Sequence, residues 1–539
     1  MNRFTVWWIK DQRYMIFLKA VLIALLPMLC CLVYSAMQGK GIGEVYLPNS
    51  EWNDELFYFK QVEGIVTYGY PQGYFGFNES HALKLSFAAW SPVLVFPWIL
   101  WGILFGWNLL SPVICNIMLM TFACFLFVWL VRPTWRQMGV LTFLFCLYTL
   151  NVRYMLSGMP EVICFALLII FYGLAVNFLR REKAWKLVTL FVLSGVLTLM
   201  RPYMLLFLLL PAYFWVRRKR WVGLIGSAAV FAVTLGAYAM IKHYLGAEYF
   251  APLFFTDWVT IFFDKGIGAG IHNFFGTLYW KGKGFYGDTV EGFRSGLASG
   301  AFFGGYLVMM AVLLGQTFAD FFKVKGGLAE EPASGGRQTV SLRDKLLIEG
   351  HLAFSFVAML FALLLMYKLT EGSKHLLTFL AVGIFVVSLM ETRTFKKAVL
   401  LGAVFAYLYT YKAVDPYDYQ VPYATAEREA QVEIWREIFA EKMVLERENV
   451  PNFDNVIIWT FNDRVGSETV NMEWQLLYAL PEGVGISCCE VEYVTEHFES
   501  LQSRYIAAPA GGTVDEICAE HGYTELGRDA NLVVYEAPR

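Results

Sequence analysis

Charge is what this chain has least of. Only 16% of its 539 residues are Asp, Glu, Lys or Arg, whereas 57% are hydrophobic and 17% aromatic, and the mean hydropathy is +0.49. So little charge cannot cover a soluble globule of this size, and the composition indicates a polytopic membrane protein. The nine cysteines include no CxxC pair at zinc-like spacing, and most lie inside apolar runs as small hydrophobes. The three in the last part of the chain, Cys488, Cys489 and Cys518, are odd in number and define no disulfide framework. No internal repeat is present. The lack of basic residues near the C-terminal end argues against nucleic acid as a partner, because phosphate binding needs clustered Lys and Arg.

The charge is unevenly placed. Residues 1–412 carry 35 Lys+Arg against 21 Asp+Glu, and residues 413–539 carry 8 against 24. A basic, apolar domain (1–412) and an acidic, less apolar one (413–539) therefore meet near Asp415-Pro416.

An apolar run over residues 15–37 follows Arg3, Lys10 and Arg13 and is long enough to cross a hydrocarbon core of ~30 Å. It is too long for a cleaved signal peptide, and no small-residue cleavage pattern follows it. Its basic flank places the N-terminus in the cytoplasm and residue 38 onward outside. The run 85–105 has a suitable length but contains Pro92, Pro97 and several Trp. If it lies along the outer interface, the later spans fall near 108–131, 137–152, 162–179, 187–200, 203–216, 222–241, 301–318, 347–367, 375–390 and 398–412. Clusters such as Arg180-Arg181, Arg217 to Arg220 and Lys396-Lys397 then all face the cytoplasm. If it spans, those clusters move outside, against the positive-inside rule. The expectation is about eleven spans, external loops at 38–107 and 242–300, and an external C-terminus, in a cell (plasma) membrane of bacterial type.

The 242–300 loop is rich in Phe, Tyr, Trp and Gly rather than Ser, Pro and Glu, which predicts order. The C-terminal domain opens with a charged helical pattern over 424–449. Short apolar segments at 456–459, 484–486, 505–508 and 532–535 follow, with helix-like stretches at 495–500 and 513–521 among them, which predicts a small α/β domain. It has no Gly-rich phosphate loop, and its role is not legible from these residues.

Three positions on the outer face could carry chemistry. Asp54-Glu55, flanked by Trp52 and Tyr58, is a carboxylate pair at the water–lipid boundary; the plain alternative is two solvated loop acids. Glu161, in Ser157-Gly158-Met159-Pro160-Glu161, stands where a span re-enters the bilayer. A carboxylate there is costly unless paired or functional, although Pro followed by Glu also suits a helix start. Arg201, in Met200-Arg201-Pro202, offers a bidentate guanidinium suited to a phosphate, or to a lipid headgroup. Lys84 in the first loop, and Lys265 and His272 in the 242–300 loop, are further candidates for contacting an anionic lipid.

Taken together, a cytoplasmic start, a first span, an external loop opening with Asp-Glu, an interfacial Trp-Ser-Pro segment closing in Leu104-Phe105-Gly106, and a second acid after the third span resemble the GT-C class of integral-membrane glycosyltransferases. The resemblance is to the branch of protein O-mannosyltransferases and lipid A aminoarabinose transferases and covers about residues 15–220. It implies that Asp54 matches the first catalytic or metal-binding acid and Glu55 its neighbour. Glu161 matches the second-loop acid, often Asp in relatives, and Arg201 a basic position that is Lys in some. It also implies an inverting sugar transfer from a polyprenyl-phosphate donor to a glycan, lipid or protein acceptor on the outer face. A divalent metal cation held by Asp54 and Glu161 is a further expectation. Two other classes compete. A lipid-linked oligosaccharide flippase or transporter would need ionisable or broken helices near the bilayer midplane, whereas the span centres here are largely uncharged. A non-catalytic envelope assembly protein would leave the first-loop acids without a role.

Overall fold

The structure is a computed structural model and describes residues 3–45, 54–69, 75–79, 91–245, 257–295, 298–326, 341–366, 369–390, 394–410, 426–445, 453–471 and 474–538. The chain opens with α1 (Arg3–Ala24) and α2 (Leu26–Met37), separated at Leu25 and with Pro27 in the first turn of α2. Next come α3 (Asp54–Tyr68), the short strand β1 (Phe75–Phe77) and α4 (Phe96–Phe105). The helices α5 (Ser111–Val131), α6 (Trp135–Leu147), α7 (Leu150–Met155), α8 (Glu161–Arg180), α9 (Ala184–Met200), α10 (Leu209–Arg218) and α11 (Arg220–Leu245) follow. A hairpin of α12 (Asp257–Asp264) and α13 (Ile267–Ser295) leads to α14 (Ala298–Lys325), α15 (Leu342–Met366), α16 (Leu369–Ser388) and α17 (Thr394–Thr410).

Among the described residues, six helical stretches are long and apolar enough to cross a membrane: Arg13–Met37, Ser111–Val131, Glu161–Arg180, Arg220–Leu245, Gly304–Lys325 and Leu342–Met366. At 1.5 Å per residue, each of their 20 to 26 residues carries the chain across a core of ~30 Å. Shorter apolar helices occupy Pro92–Phe105, Trp135–Leu147, Ala184–Met200 and His375–Ser388. The segment expected to span at 203–216 starts as a 3-10 stretch, Pro202–Leu208, that runs on into α10. At its start Pro202 excludes helical geometry from Arg201, which is extended at φ −144° and ψ 118°. Helix ends elsewhere have equally local causes. Thr134 and Gln137 form a reciprocal cap at the start of α6, and the left-handed Arg132 closes α5.

The helices pack around α5 and α8, whose buried faces supply Phe127, Ile163, Phe165 and Phe171 to one apolar core. A Cβ at Gly173 would stand 3.3 Å from Phe127 Cα, so a glycine at this crossing allows the two backbones to approach closely.

The C-terminal domain contains α18 (Ala426–Lys442), β2 (Val456–Phe461), β3 (Asp463–Val465), β4 (Glu468–Val470), β5 (Gly485–Glu490), α19 (Val491–His497), β6 (Tyr505–Pro509), α20 (Thr513–Glu520), β7 (Thr524–Arg528) and β8 (Leu532–Glu536). Its six-stranded sheet runs β1-β5-β2-β6-β8-β7, with the first four strands parallel and β8 antiparallel to both its neighbours, β6 and β7. The α/β expectation thus gains a strand: β1, from the first loop, lies more than 300 residues before the rest and pairs with β5. Trp435 and Phe439 of α18 cover one face of the sheet, and Val494 of α19 with Val514 and Cys518 of α20 cover the other. A parallel sheet needs both faces covered, which explains the continuous apolar runs in β2 and β6.

Candidate functional site

The Glu161 and Arg201 side chains meet. Glu161 opens α8, where the helix dipole favours a carboxylate. The turn before it is held by buried hydrogen bonds. Asn116 of α5 accepts from Trp98 Nε1 of α4 at 3.0 Å and donates to the Ser157 carbonyl at 3.1 Å. Ser157 Oγ donates to the Tyr154 carbonyl at 2.8 Å and accepts from Met159 N–H at 3.2 Å. From the other side, the extended backbone that Pro202 imposes carries Arg201 out of the end of α9. Its Nη2 donates to Glu161 Oε1 at 2.7 Å, and both side chains are 1% exposed. Glu161 Oε2 has no hydrogen-bond partner among the described residues.

The same guanidinium reaches a third helix. Arg201 Nη1 lies 2.8 Å from His375 Nδ1 in α16, and the Tyr203 hydroxyl lies 3.3 Å from the same nitrogen. Guanidinium only donates, so Nδ1 accepts and the ring proton belongs on Nε2. His375 is buried, and it is not among the candidates that the sequence marks. The available signal was a lone ionisable residue at the head of the apolar run 375–390.

The third element is α3. Its first turn holds Asp54, half-buried, and Glu55, which has no exposure to solvent. Tyr58 is one turn further on and shares their face by the i, i+3 and i, i+4 spacing; it comes within electrostatic reach of the Arg201 guanidinium. Tyr58 and Val62 pack into the apolar core around α5 and α8. On the opposite flank, burial pushes the Glu63 carboxyl up despite the Lys60 ammonium that donates to it at 2.9 Å.

Lys265 and His272 do not join this group. Both are exposed on the α12–α13 hairpin, which is closed by Trp258 against Phe274 with ring centroids 5.4 Å apart. Lys84 lies outside the described residues. Among the described residues, no group of three or more His, Cys, Asp or Glu gathers to hold a metal ion. A divalent cation between Asp54 and Glu161 would share Glu161 with the fixed positive charge of Arg201. Chemically, the described arrangement offers a desolvated, oriented cation flanked by a carboxylate, an imidazole and two phenols, with a second pair of acids on the helix beside it.

No family model and no curated protein matches the chain. Among solved structures, it is similar to ArnT from Cupriavidus metallidurans in crystal structures of the apo state and of the complex with undecaprenyl phosphate. The alignments cover 96% of this chain and 99% of each of those, with a TM-score of 0.41 and 11% and 10% sequence identity, respectively.

Proposed function

We propose that the protein is a GT-C-like membrane glycosyltransferase that moves a sugar from a polyprenyl-phosphate donor to an acceptor hydroxyl of a cell-envelope glycan, lipid or protein. The observation that carries this reading is the buried Glu161–Arg201 pair beside the helix that bears Asp54 and Glu55. A polyprenyl-phosphate sugar already contains a good leaving group. The protein must therefore stabilise the charge of the departing phosphate and sharpen the nucleophile.

In this reading Arg201, held by Glu161 and His375, faces the phosphate oxygen on which negative charge grows. Such preorganised donors are worth most where water is excluded. Asp54, the more exposed of the two α3 acids, takes the proton of the acceptor hydroxyl. The acceptor oxygen forms its bond to the anomeric carbon as the bond to the phosphate oxygen breaks, and that electron pair leaves with the polyprenyl phosphate. General-base help of this kind contributes ~10²–10⁴-fold. Glu55 orients Asp54 or the acceptor. Inversion at the sugar carbon follows from the family resemblance. The topology proposed with it has about eleven spans, a cytoplasmic N-terminus, and α3 and the C-terminal domain outside.

The test uses the full chain in lipid nanodiscs. Asp54→Asn and Glu161→Gln variants that insert and fold normally are assayed for transfer from polyprenyl-phosphate sugars to acceptors identified from the glycans lost on deleting the protein. Strong loss is expected in both; full activity in both would remove the reading.

A further inference from the structure

The C-terminal domain, whose role the sequence leaves open, grips the first external loop at three places. The first is the sheet edge, where β1 adds to β5 in parallel register, with Phe75 opposite Ile486 and Phe77 opposite Cys488. The Phe77 ring packs 5.3 Å from Phe461 at the end of β2. The second is the turn that follows. Asn78 and Glu79 both adopt left-handed backbones, at φ 50° and 56°, a conformation that costs about 1–3 kcal/mol per non-glycine residue unless its surroundings hold it. Here Asn78 N–H donates to the Cys488 carbonyl at 3.0 Å and Glu79 N–H to Ser487 Oγ at 2.7 Å. The Glu79 carboxylate reaches further, accepting from Gln502 N–H at 3.0 Å and Ser503 N–H at 2.6 Å. The third place is α3 itself. Leu56 and Phe59 are buried in the core of the C-terminal domain, with Phe59 5.1 Å from Tyr478. A Cβ on Gly483 would come within 2.5 Å of the Tyr68 hydroxyl at the far end of the helix.

Opposite faces of α3 thus belong to different bodies. Tyr58 and Val62 enter the apolar core around α5 and α8, while Leu56 and Phe59 enter the C-terminal domain. Trp107 fastens the middle of the helix, donating from Nε1 to the Phe59 carbonyl at 3.1 Å. A helix held on two sides cannot shift along its axis without breaking one of the two packings, and Asp54 and Glu55 stand on its first turn.

We infer that the C-terminal domain acts as a clamp that sets the position of α3 against the Glu161–Arg201 pair, with Glu79 as a positioning residue acting through β1. The inference rests on the proposed function for the meaning of Asp54, but not for the clamp itself. A misplacement of ~1 Å in a reacting group can cost about 100-fold in rate, so loosening the clamp lowers kcat while leaving donor KM near its original value.

The experiment compares full-length wild type, Glu79→Ala and Glu79→Gln in nanodiscs, with amide hydrogen exchange and sugar transfer read on the same samples. For E79A, faster exchange across 54–68, unchanged protection in 111–131 and 161–180, and a fall in kcat of about 10- to 100-fold are expected. E79Q retains one side-chain acceptor and should recover part of both effects. If E79A fails to fold, Ser487→Ala, which removes the acceptor of the Glu79 N–H together with a 3.6 Å contact to Cys489 Sγ, reads the same quantities. Unchanged exchange at 54–68 in the variants would overturn the clamp, whatever the activity. Faster exchange at 54–68 with undiminished transfer would uphold the clamp and overturn the catalytic assignment of Asp54.

Discussion

Arg201 Nη2 and Glu161 Oε1 are 2.7 Å apart, and neither side chain is more than 1% exposed. Moving both charges out of water is costly, and the pair is tolerable only while each partner has the other. Glu161→Gln is therefore expected to destabilise the protein by about 3–5 kcal/mol, since it leaves a buried guanidinium without its counter-charge. The double variant Glu161→Gln/Arg201→Gln should lose less than the sum of the two single losses. Thermal unfolding of the purified protein in detergent checks this; additive losses would show that the two charges are not coupled.

His375 ties Arg201 to α16 through its Nδ1. Replacing it by Leu removes an acceptor from a buried guanidinium, at a cost of about 1–3 kcal/mol, and by orientation should lower kcat/KM about 10- to 100-fold. Asn places an oxygen close to the position of Nδ1, so His375→Asn should retain more activity than His375→Leu. Equal activity of the two variants would count against an orienting role.

Sugar transfer is expected to persist in EDTA. Arg201 already supplies positive charge at Glu161, and no step of the proposed reaction runs through a metal. Assays with and without chelator, followed by addition of Mg²⁺ or Mn²⁺, check this; abolition by EDTA and restoration by one of these ions would assign the cation a role.

Reporter fusions placed after Arg136 and after Arg220 should both read as cytoplasmic. The expectation rests on reading 85–105 as interfacial. That reading keeps the basic clusters Arg180-Arg181 and Arg217 to Arg220 in the cytoplasm. An external reporter at either site would reverse the topology.

Acid should loosen the C-terminal domain within a definite window. Burial alone would push the Asp515 carboxyl up, but Arg528, which donates at 2.7 and 2.9 Å, the Tyr535 hydroxyl and Gly511 N–H together hold it at about 2. Since the folded value lies below the unfolded one of ~3.9, its contribution is complete above pH ~4 and is lost as pH falls from about 4 to about 2. The amount is roughly 2 kcal/mol, reduced by solvent screening because Arg528 is 37% exposed. Protection of the β7 and β8 amides, taken relative to the intrinsic exchange rate at each pH, should fall across this range in wild type and change little in Asp515→Asn.

The legible parts of the site were those marked by local chemistry. Proline before Glu161 and after Arg201 marks two helix ends, and the topology expected from the basic residues would put both ends on one face, where they could meet. Tyr58, Tyr203 and His375 carry no such mark; an aromatic or a histidine at the margin of an apolar run looks the same whether it touches lipid or a guanidinium. The two α3 acids illustrate the same limit. Their adjacency was plain, but only packing distinguishes half-buried Asp54 from fully enclosed Glu55. Of the fold, long apolar helices announce themselves by length. Phe75-Gly76-Phe77 is too short to show a strand period, and its hydrogen-bond partners lie beyond any sequence window.

That separation also orders events in time. Phe75 and its partner Ile486 are 411 positions apart, so at a synthesis rate of ~5–20 residues per second the early segment waits about 20–80 s before the strand it pairs with has been made. Helix α3, whose Leu56 and Phe59 pack into that same domain, is likewise made long before part of its packing surface exists.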